Sequence, residues 1–246
     1  MNQLLSIGKS VLPSRIRCFL RAVHRDLVFL RAMKRFLKDP DACMHPGNPT
    51  IMDLIYGWGN EGWSAKDEYL ANCLDHALAA HGPILECGSG LSTILVGAIA
   101  KKRGQNHWAL EHTPAWATKV QRYLSRYKLD SVVLCVKPLK DYGDFCWYDA
   151  PLESMPSGFA LVVCDGPPGH TKGGRYGLVP IMRERLKPGC VILLDDAGRE
   201  QELAIAKRWE TELGARFTIL GSTKPHIEMT VRSNSTLVSP TQSPPA

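Results

Sequence analysis

The feature that most constrains the fold is a short apolar run that ends in an acid and two glycines. Residues 84–87 are Ile-Leu-Glu-Cys, Gly88 and Gly90 follow, and residues 94–100 are an apolar stretch of helical length. This order predicts a strand, a tight turn and a helix. Glycine allows positive φ and close approach of a ligand, and the free amides at a helix start attract polar or anionic groups. We therefore expect a ligand-binding turn with Gly88 and Gly90 both at positive φ.

A second short apolar run predicts where the sugar of a nucleotide would bind. Residues 107–110 form this run, and it ends in Glu111. In nucleotide-binding βαβ units, an acid about twenty residues after the glycines accepts hydrogen bonds from a ribose. The dinucleotide pattern needs a third glycine three residues after Gly90, where this chain has Thr93. A cofactor with a ribose but no pyrophosphate fits this spacing better.

These residues resemble the class I methyltransferases that use S-adenosylmethionine. The first motif of that family is an acid-x-Gly-x-Gly turn, matched here by Glu86, Gly88 and Gly90, and Glu111 matches its ribose-binding acid. The resemblance covers roughly residues 50–232. It implies an α/β fold with a Rossmann-like seven-stranded, mostly parallel sheet and helices on both faces. It also implies a set of cofactor-binding residues in and after the strands, namely Glu86, Gly88, Ser89, Gly90, Ser92, Glu111, His112, Asp141 and Asp165.

The C-terminal part discriminates between folds. Residues 216–220 and 226–232 have strand character and are separated by a short turn, which predicts an antiparallel hairpin. The class I methyltransferase sheet has such a hairpin, and a doubly wound dehydrogenase usually lacks it. A nicotinamide-dependent oxidoreductase is therefore the less favoured alternative. A non-catalytic scaffold with the same fold, docked by a basic helix, is the other alternative.

A buried strand at residues 159–164 delivers Asp165 to the edge of the sheet where ligands bind in open α/β folds. Gly-Pro-Pro-Gly and His170 follow directly, and Asp-Gly-Pro-Pro-Gly resembles the fourth motif of a subset of the family. Residues 171–177 predict a flexible loop that closes over the substrate. A structural alternative for Asp165 is that its carboxylate bonds the amides of the turn.

The strand at residues 190–194 ends in Asp195 and Asp196, so three carboxylates are expected at one edge of the sheet. Such a set can hold Mg²⁺, which would lower the pKa of a bound hydroxyl. Metal-dependent O-methyltransferases follow the second acid with Asn, however, and this chain continues with Ala197. A metal at Asp165, Asp195 and Asp196 is therefore not favoured. Without metal, Asp165, His170 or Asp195 can act as general base, and the acid pair can alternatively cap a helix.

The positive charge is concentrated at the N-terminus. Residues 1–38 hold nine Lys or Arg and one acid, so they carry +8 and the other 208 residues carry −2. Apolar residues at helical spacing predict an amphipathic helix over residues 12–38 that begins near Pro13. It can pack on the domain or on a second copy in a homodimer, lie on an anionic membrane surface, or serve as a targeting sequence. Nucleic acid is not a favoured partner, because aromatic residues are poorly interleaved with the basic ones.

Four segments are predicted: the basic helix at 1–40, a cap segment with a helix at 41–82, the methyltransferase domain at 83–232, and a disordered tail at 233–246. In the cap, Trp58, Asn60 and Trp63 are candidates for a lid over the substrate. The alternative is that the two tryptophans fill the edge of a domain.

The composition favours a cytoplasmic protein, with the basic helix allowing peripheral attachment to a membrane. No apolar stretch reaches the roughly 18 residues that span a bilayer, and no clean signal sequence is present. Four of the eight cysteines lie in or beside strand-like runs without a CxxC pair, which predicts buried free thiols in a reducing compartment. The predicted function is O-methylation of a small-molecule, sugar or lipid acceptor.

Overall fold

The computed structural model describes residues 13–60 and 65–232. The chain divides into two compact units, one up to Asn72 and one from Cys73. This boundary lies earlier than the predicted domain start at residue 83. The predicted disordered tail at 233–246 lies outside the described residues.

The first unit is built from helices. Its elements are α1 (Ser14–Lys38), a 3-10 turn (Asp41–Cys43), α2 (Pro49–Trp58) and the beginning of α3 (Asp67–Ala79). Helix α1 follows Pro13 and ends before Asp39, as the sequence predicts. Helix α2 was not predicted, because its surroundings are rich in Gly, Pro and Asn. The side chain of Asn48 accepts a hydrogen bond from the Thr50 amide (2.8 Å), and Pro49 suits the first helical position.

Helices α1 and α2 pack against each other through a close contact at Gly57. A Cβ at this position would lie 2.7 Å from Cβ of Phe29 and 2.9 Å from the backbone oxygen of Arg25. Trp58 is buried, with its ring centroid 6.1 Å from that of Phe29. Trp58 therefore fills the core of this unit, which is the alternative to the lid in the sequence analysis.

The second unit alternates strands and helices. Its elements are β1 (Ile84–Cys87), α4 (Leu91–Arg103), β2 (His107–Glu111), α5 (Pro114–Arg126), β3 (Val132–Val136), β4 (Leu139–Asp141), β5 (Cys146–Tyr148), β6 (Phe159–Cys164), α6 (Leu178–Met182), β7 (Leu186–Leu194), α7 (Glu200–Leu213), β8 (Arg216–Leu220) and β9 (His226–Thr230). Short 3-10 turns lie at Leu152–Ser154 and Arg183–Arg185.

Seven of these strands form one sheet in the order β3-β2-β1-β6-β7-β9-β8. Strands β3, β2, β1, β6 and β7 are parallel, whereas β9 is antiparallel to both β7 and β8. The predicted Rossmann-like sheet with its C-terminal hairpin is confirmed. The parallel strands carry their carboxyl ends to one edge, which is where the candidate site lies.

The segment between β3 and β6 is more regular than the sequence indicates. Strands β4 and β5 form a separate antiparallel hairpin, in which Asp141 pairs with Cys146 and Leu139 with Tyr148. Trp147 and Tyr148 are fully buried. Three-residue strands are too short to show a period of two, so the sequence predicts only an ordered connection or insertion rather than a regular helix.

The prediction of a flexible loop at residues 171–177 is wrong. A Cβ on Gly173 would lie 2.5 Å from Cβ of Phe145, and one on Gly177 would lie 2.6 Å from Cβ of Trp147. Arg175 and Tyr176 are buried as well. The glycines in this run serve close packing against the β4–β5 hairpin and not flexibility.

All eight cysteines are free, as predicted. Of the four that lie in or beside strands, Cys87, Cys164 and Cys190 are buried as predicted, whereas Cys135 is only partly buried. Among the described residues, no helix has both the length and the apolar character that crossing a membrane requires.

We expect Gly57→Ala to lower the free energy of unfolding by about 1–3 kcal/mol, because the new methyl group overlaps backbone atoms of α1. Urea unfolding followed by circular dichroism measures this. Met52→Gln, an exposed position on the same helix, should stay within about 0.5 kcal/mol of the original. Equal stability of the Ala variant and the original would contradict the close packing.

Candidate functional site

Four strand ends converge at one edge of the sheet. Cys87 pairs with Leu110 on one side and with Cys164 on the other, and Cys164 pairs with Leu194. The next residues along these strands are Gly88, Glu111, Asp165 and Asp195. The register therefore brings the predicted glycine turn, ribose acid and carboxylates to the same edge.

The turn after β1 lies directly against the turn after β6. Gly88 has φ of +87°, as predicted, and a Cβ there would lie 3.2 Å from the Gly166 amide nitrogen. The prediction of positive φ at Gly90 is wrong, because φ is 179°, an extended conformation. A Cβ on Gly90 would meet nothing within 4 Å. The start of helix α4 therefore faces open space in the structure.

Glu86 is buried beneath this turn and has partners inside the fold. The Ser92 hydroxyl donates to Oε1 of Glu86 (2.5 Å), and Nε2 of His107 lies 2.9 Å from Oε2. Both Glu86 and His107 are almost fully inaccessible to solvent. Through these two contacts, Glu86 joins β1 to the first turn of α4 and to β2. Glu86 and Ser92 therefore position the turn. Their direct contact with a cofactor stays a prediction.

Glu111 is held in a fixed orientation at the end of β2. Its Oε2 accepts hydrogen bonds from the Ser89 hydroxyl (2.7 Å) and amide (3.2 Å). Its Oε1 accepts from the amides of His112 (2.7 Å) and Thr113 (2.8 Å). The Trp116 indole donates to the carbonyl of Ser89 (2.7 Å), which fixes the other side of the turn. The predicted ribose acid is thus oriented by the glycine turn itself.

Asp141 lies on the exposed side of the β4–β5 hairpin. It accepts a hydrogen bond from the Gly143 amide (2.8 Å), and Nζ of Lys172 is 3.4 Å away. The Gly143 hydrogen bond, together with Lys172, lowers the pKa of the Asp141 carboxyl. These contacts explain its position within the hairpin, and its contact with adenine stays a prediction.

Tyr148, the last residue of β5, was not predicted as a site residue. Its side chain is fully buried, and its hydroxyl has no hydrogen-bond partner among the described residues. A Cβ on Gly166 would overlap that hydroxyl. Burial, together with the nearby Cys87 and Glu111, raises the pKa of Tyr148 well above its usual value. Buried hydroxyls are nearly always bonded, so this one fits a polar atom of a bound ligand.

Asp165, Asp195 and Asp196 converge as predicted, with carboxylate oxygens within 4.8 Å of one another. The guanidinium of Arg175 lies among them and is almost completely buried. Its Nη2 donates to Asp165 (3.0 Å) and to Asp196 (2.8 Å), and its Nη1 donates to the backbone oxygen of Asp195 (2.7 Å). Arg175 therefore joins the ends of β6 and β7. No sequence signal pointed to it, because it lies in a glycine-rich run.

Lys224, from the turn between β8 and β9, is the second cation of this cluster. Its Nζ is 2.6 Å from Asp195 and 2.9 Å from Asp196. Burial alone would lower the pKa of Lys224, but Asp195 and Asp196 outweigh this and raise it. The carboxylates thus already contact two cations of the protein. A divalent metal would have to displace them, so this donor set does not fit a resident metal ion.

The cluster contains one more acid than base. Glu202 and Arg199 complete it, so four carboxylates, counting the three aspartates, face Arg175, Lys224 and Arg199. Asp165 is the most accessible of the four acids, with 29% of its side chain exposed. Burial and the neighbouring Asp195 raise the pKa of Asp165 to about 7 against the opposing effect of Arg175. Asp165 therefore gains and loses its proton near neutral pH.

The remaining predicted residues lie elsewhere. His170 is exposed in the turn after β6, five residues beyond Asp165 in the chain. Asn60 follows helix α2 in the first unit, and Trp63 lies outside the described residues. A lid function stays a prediction for Asn60 and Trp63, whereas Trp58 is buried in the core of the first unit.

Arg175 and Arg199 both bond Asp196, but replacing one or the other should have very different effects on the free energy of unfolding. We expect Arg175→Gln to lower the free energy of unfolding by about 3–5 kcal/mol, because it leaves buried carboxylates unpaired. Arg199→Gln is the matched control, since Arg199 bonds the same carboxylate (2.9 Å) but is 54% exposed, and should cost below about 1 kcal/mol. Denaturant unfolding at pH 7.5 measures the loss of stability in each variant. Equal losses in the two variants would contradict the role of Arg175.

Comparisons with known proteins agree with this geometry. Residues 85–197 match the family described as "Methyltransferase domain". A comparison with curated proteins finds no matching sequence. Among solved structures, a precorrin-6Y C5,15-methyltransferase from Geobacter metallireducens has a TM-score of 0.53 at 17% identity, covering 70% of this chain and 91% of that chain. An O-methyltransferase from Bacillus cereus in complex with SAH has a TM-score of 0.50 at 14% identity, covering 93% and 96%.

At these identities the solved structures establish the fold, while the family match covers the strand ends from β1 to β7 that build the site. The sheet order and this match give residues 85–197 the fold and the family match of a methyltransferase domain, as predicted from the sequence.

Proposed function

We propose that the protein transfers a methyl group from S-adenosylmethionine to an oxygen atom of a small-molecule, sugar or lipid acceptor. The observation that carries this proposal is the position of Asp165. It follows β6 at the same sheet edge as the glycine turn and the ribose acid, and its pKa is about 7. A carboxylate with this pKa can accept the proton of an acceptor hydroxyl near neutral pH.

The cofactor residues proposed on this chain are those of the turn after β1 and the end of β2. Gly88, Ser89 and Gly90 provide the close backbone approach and the open helix start. Glu111 is the acceptor for the ribose hydroxyls, with His112 beside it. The unpartnered hydroxyl of Tyr148 is available to a polar atom of the cofactor or of the acceptor.

When bound, S-adenosylmethionine supplies a methyl group that is already electrophilic because its sulfur is positively charged. The chain therefore needs to position the acceptor in line and to remove one proton. Asp165 would accept the hydroxyl proton as the oxygen–carbon bond forms and the methyl–sulfur bond breaks. Arg175, bonded to the same carboxylate (3.0 Å), fixes its orientation. His170, which is exposed in the turn after β6, is the alternative proton acceptor that we propose.

The Asp-Gly-Pro-Pro-Gly run has a physical explanation that supports its use as a subset motif. Gly166 lies between the Tyr148 hydroxyl and Gly88, and a Cβ there would be 2.9 Å from the Cα of Gly88. Only glycine leaves this space, so the residue after the proposed base sets the separation between the turns that follow β1 and β6.

The free thiols favour a cytoplasmic location for the enzyme.

Calorimetric titration with S-adenosylhomocysteine tests the cofactor site. We expect micromolar binding, weakened about 10- to 100-fold in Glu111→Ala, because charge-assisted hydrogen bonds to the ribose are lost. Glu153→Ala, an exposed acid in the turn at Leu152–Ser154, should bind as the original does. Absence of binding, or equal binding by both variants, would refute the assigned cofactor site.

The rate of methyl transfer in an acceptor screen tests the base. Since Asp165 must be deprotonated to accept a proton, the rate should rise with pH through about 7. Asp165→Asn should lower it by about 10²–10⁴-fold while retaining S-adenosylhomocysteine binding. We also expect EDTA to leave the rate unchanged, because Arg175 and Lys224 contact the carboxylates. A rate that needs Mg²⁺, or full activity of Asp165→Asn, would contradict this mechanism.

A further inference from the structure

Helix α1 has two apolar faces, and only one of them is buried. Phe29, Ala32, Met33 and Phe36 form the buried face. Leu27 precedes Phe29 by two residues, which is about 200° around a helix, and 47% of it is exposed. The sequence prediction of a single apolar stripe therefore described a different face from the one that packs in the core.

The exposed face is concentrated in the N-terminal half of the helix. We call it the α1 stripe, and it consists of Ile16, Phe19, Leu20, Val23 and Leu27. Phe19 is 67% exposed and Leu20 is 50% exposed. Their spacings of three and four residues place them on one side. A contiguous exposed apolar stripe of this kind marks an interaction surface.

The charge around the stripe identifies what covers it. Helix α1 contains eight Lys or Arg and one acid, Asp26. Arg15 and Arg21 lie outside the stripe on the polar part of the helix, because each is one residue, about 100° around the helix, from Ile16 or Leu20. A second copy would bring arginines against arginines with little acid to neutralise them. Anionic lipid headgroups provide the opposite charge, and their acyl chains provide the apolar phase.

We propose that α1 docks this methyltransferase on an anionic membrane surface, with the α1 stripe inserted at the level of the headgroups and the flanking arginines bonded to lipid phosphates or carboxylates. The buried face of the same helix anchors the membrane contact to the first unit, since Phe29 packs against Trp58. The proposal does not depend on the identity of the methyl acceptor. It adds a site of action to the proposed activity.

Vesicle co-sedimentation of the full chain tests the proposal. We expect binding to phosphatidylcholine vesicles with about 30% phosphatidylserine, little binding to pure phosphatidylcholine, and weaker binding as salt increases. Phe19→Gln with Leu20→Gln should weaken binding at least about tenfold, because two apolar side chains no longer insert. Glutamine is a good helix former, so circular dichroism should show unchanged helix content. Met52→Gln, at an apolar residue of α2 that is 48% exposed, is the matched control and should bind normally.

A second variant keeps the test decisive if the double glutamine variant loses its helix. Arg15→Glu with Arg21→Glu leaves the stripe intact, and it should abolish the preference for anionic vesicles. Equal binding to neutral and anionic vesicles, or unchanged binding by both variants, would overturn the proposal. A dimer detected by analytical ultracentrifugation that is lost in Phe19→Gln with Leu20→Gln, without vesicle binding, would also overturn it and assign the stripe to a second copy.

Discussion

The buried guanidinium of Arg175 is the interaction on which the site depends. It bonds Asp165 at the end of β6, Asp196 after β7 and the backbone oxygen of Asp195. Carboxylates this close repel one another, and without a cation between them the two strand ends could not stay ionised and adjacent. Lys224 adds a second cation from the β8–β9 turn, so the C-terminal hairpin also contributes to the site. The fold thereby supplies with its own side chains the positive charge that a metal would otherwise provide.

The same cluster explains why one acid differs from the others. Burial and its contacts with Arg175 and Lys224 have opposite effects on Asp196, and the cations prevail, so its pKa is lowered. Asp165 has fewer cationic contacts, remains partly accessible to solvent, and has a pKa of about 7. Asp196 is also held at φ of +65°, a conformation that non-glycine residues rarely adopt and that occurs at functional sites. Of the two acids at neighbouring strand ends, Asp196 is therefore a fixed anion and Asp165 is the proton acceptor.

The sheet could be predicted because its signals are local. An apolar run followed by Gly88, an acid after each of β2, β6 and β7, and an alternating C-terminal hairpin each lie within a few residues of sequence. The partners of the acids could not be predicted, since they arise from distant segments. Arg175 lies in a glycine-rich run that is typical of a flexible loop, and its packing depends on a hairpin of two three-residue strands. His107 is likewise brought to Glu86 by strand pairing alone.

The protonation state of Asp165 decides whether it can act as the base, and it can be measured without knowing the acceptor. Isotope-edited infrared difference spectroscopy of the protein over pH 5–9, with Asp165→Asn as reference, reports the protonated carboxyl directly. We expect one carboxyl band that disappears as pH rises through about 7 and that is absent from the variant. A band that is already lost near pH 4, the ordinary range of an aspartate, or one that persists in Asp165→Asn, would contradict it.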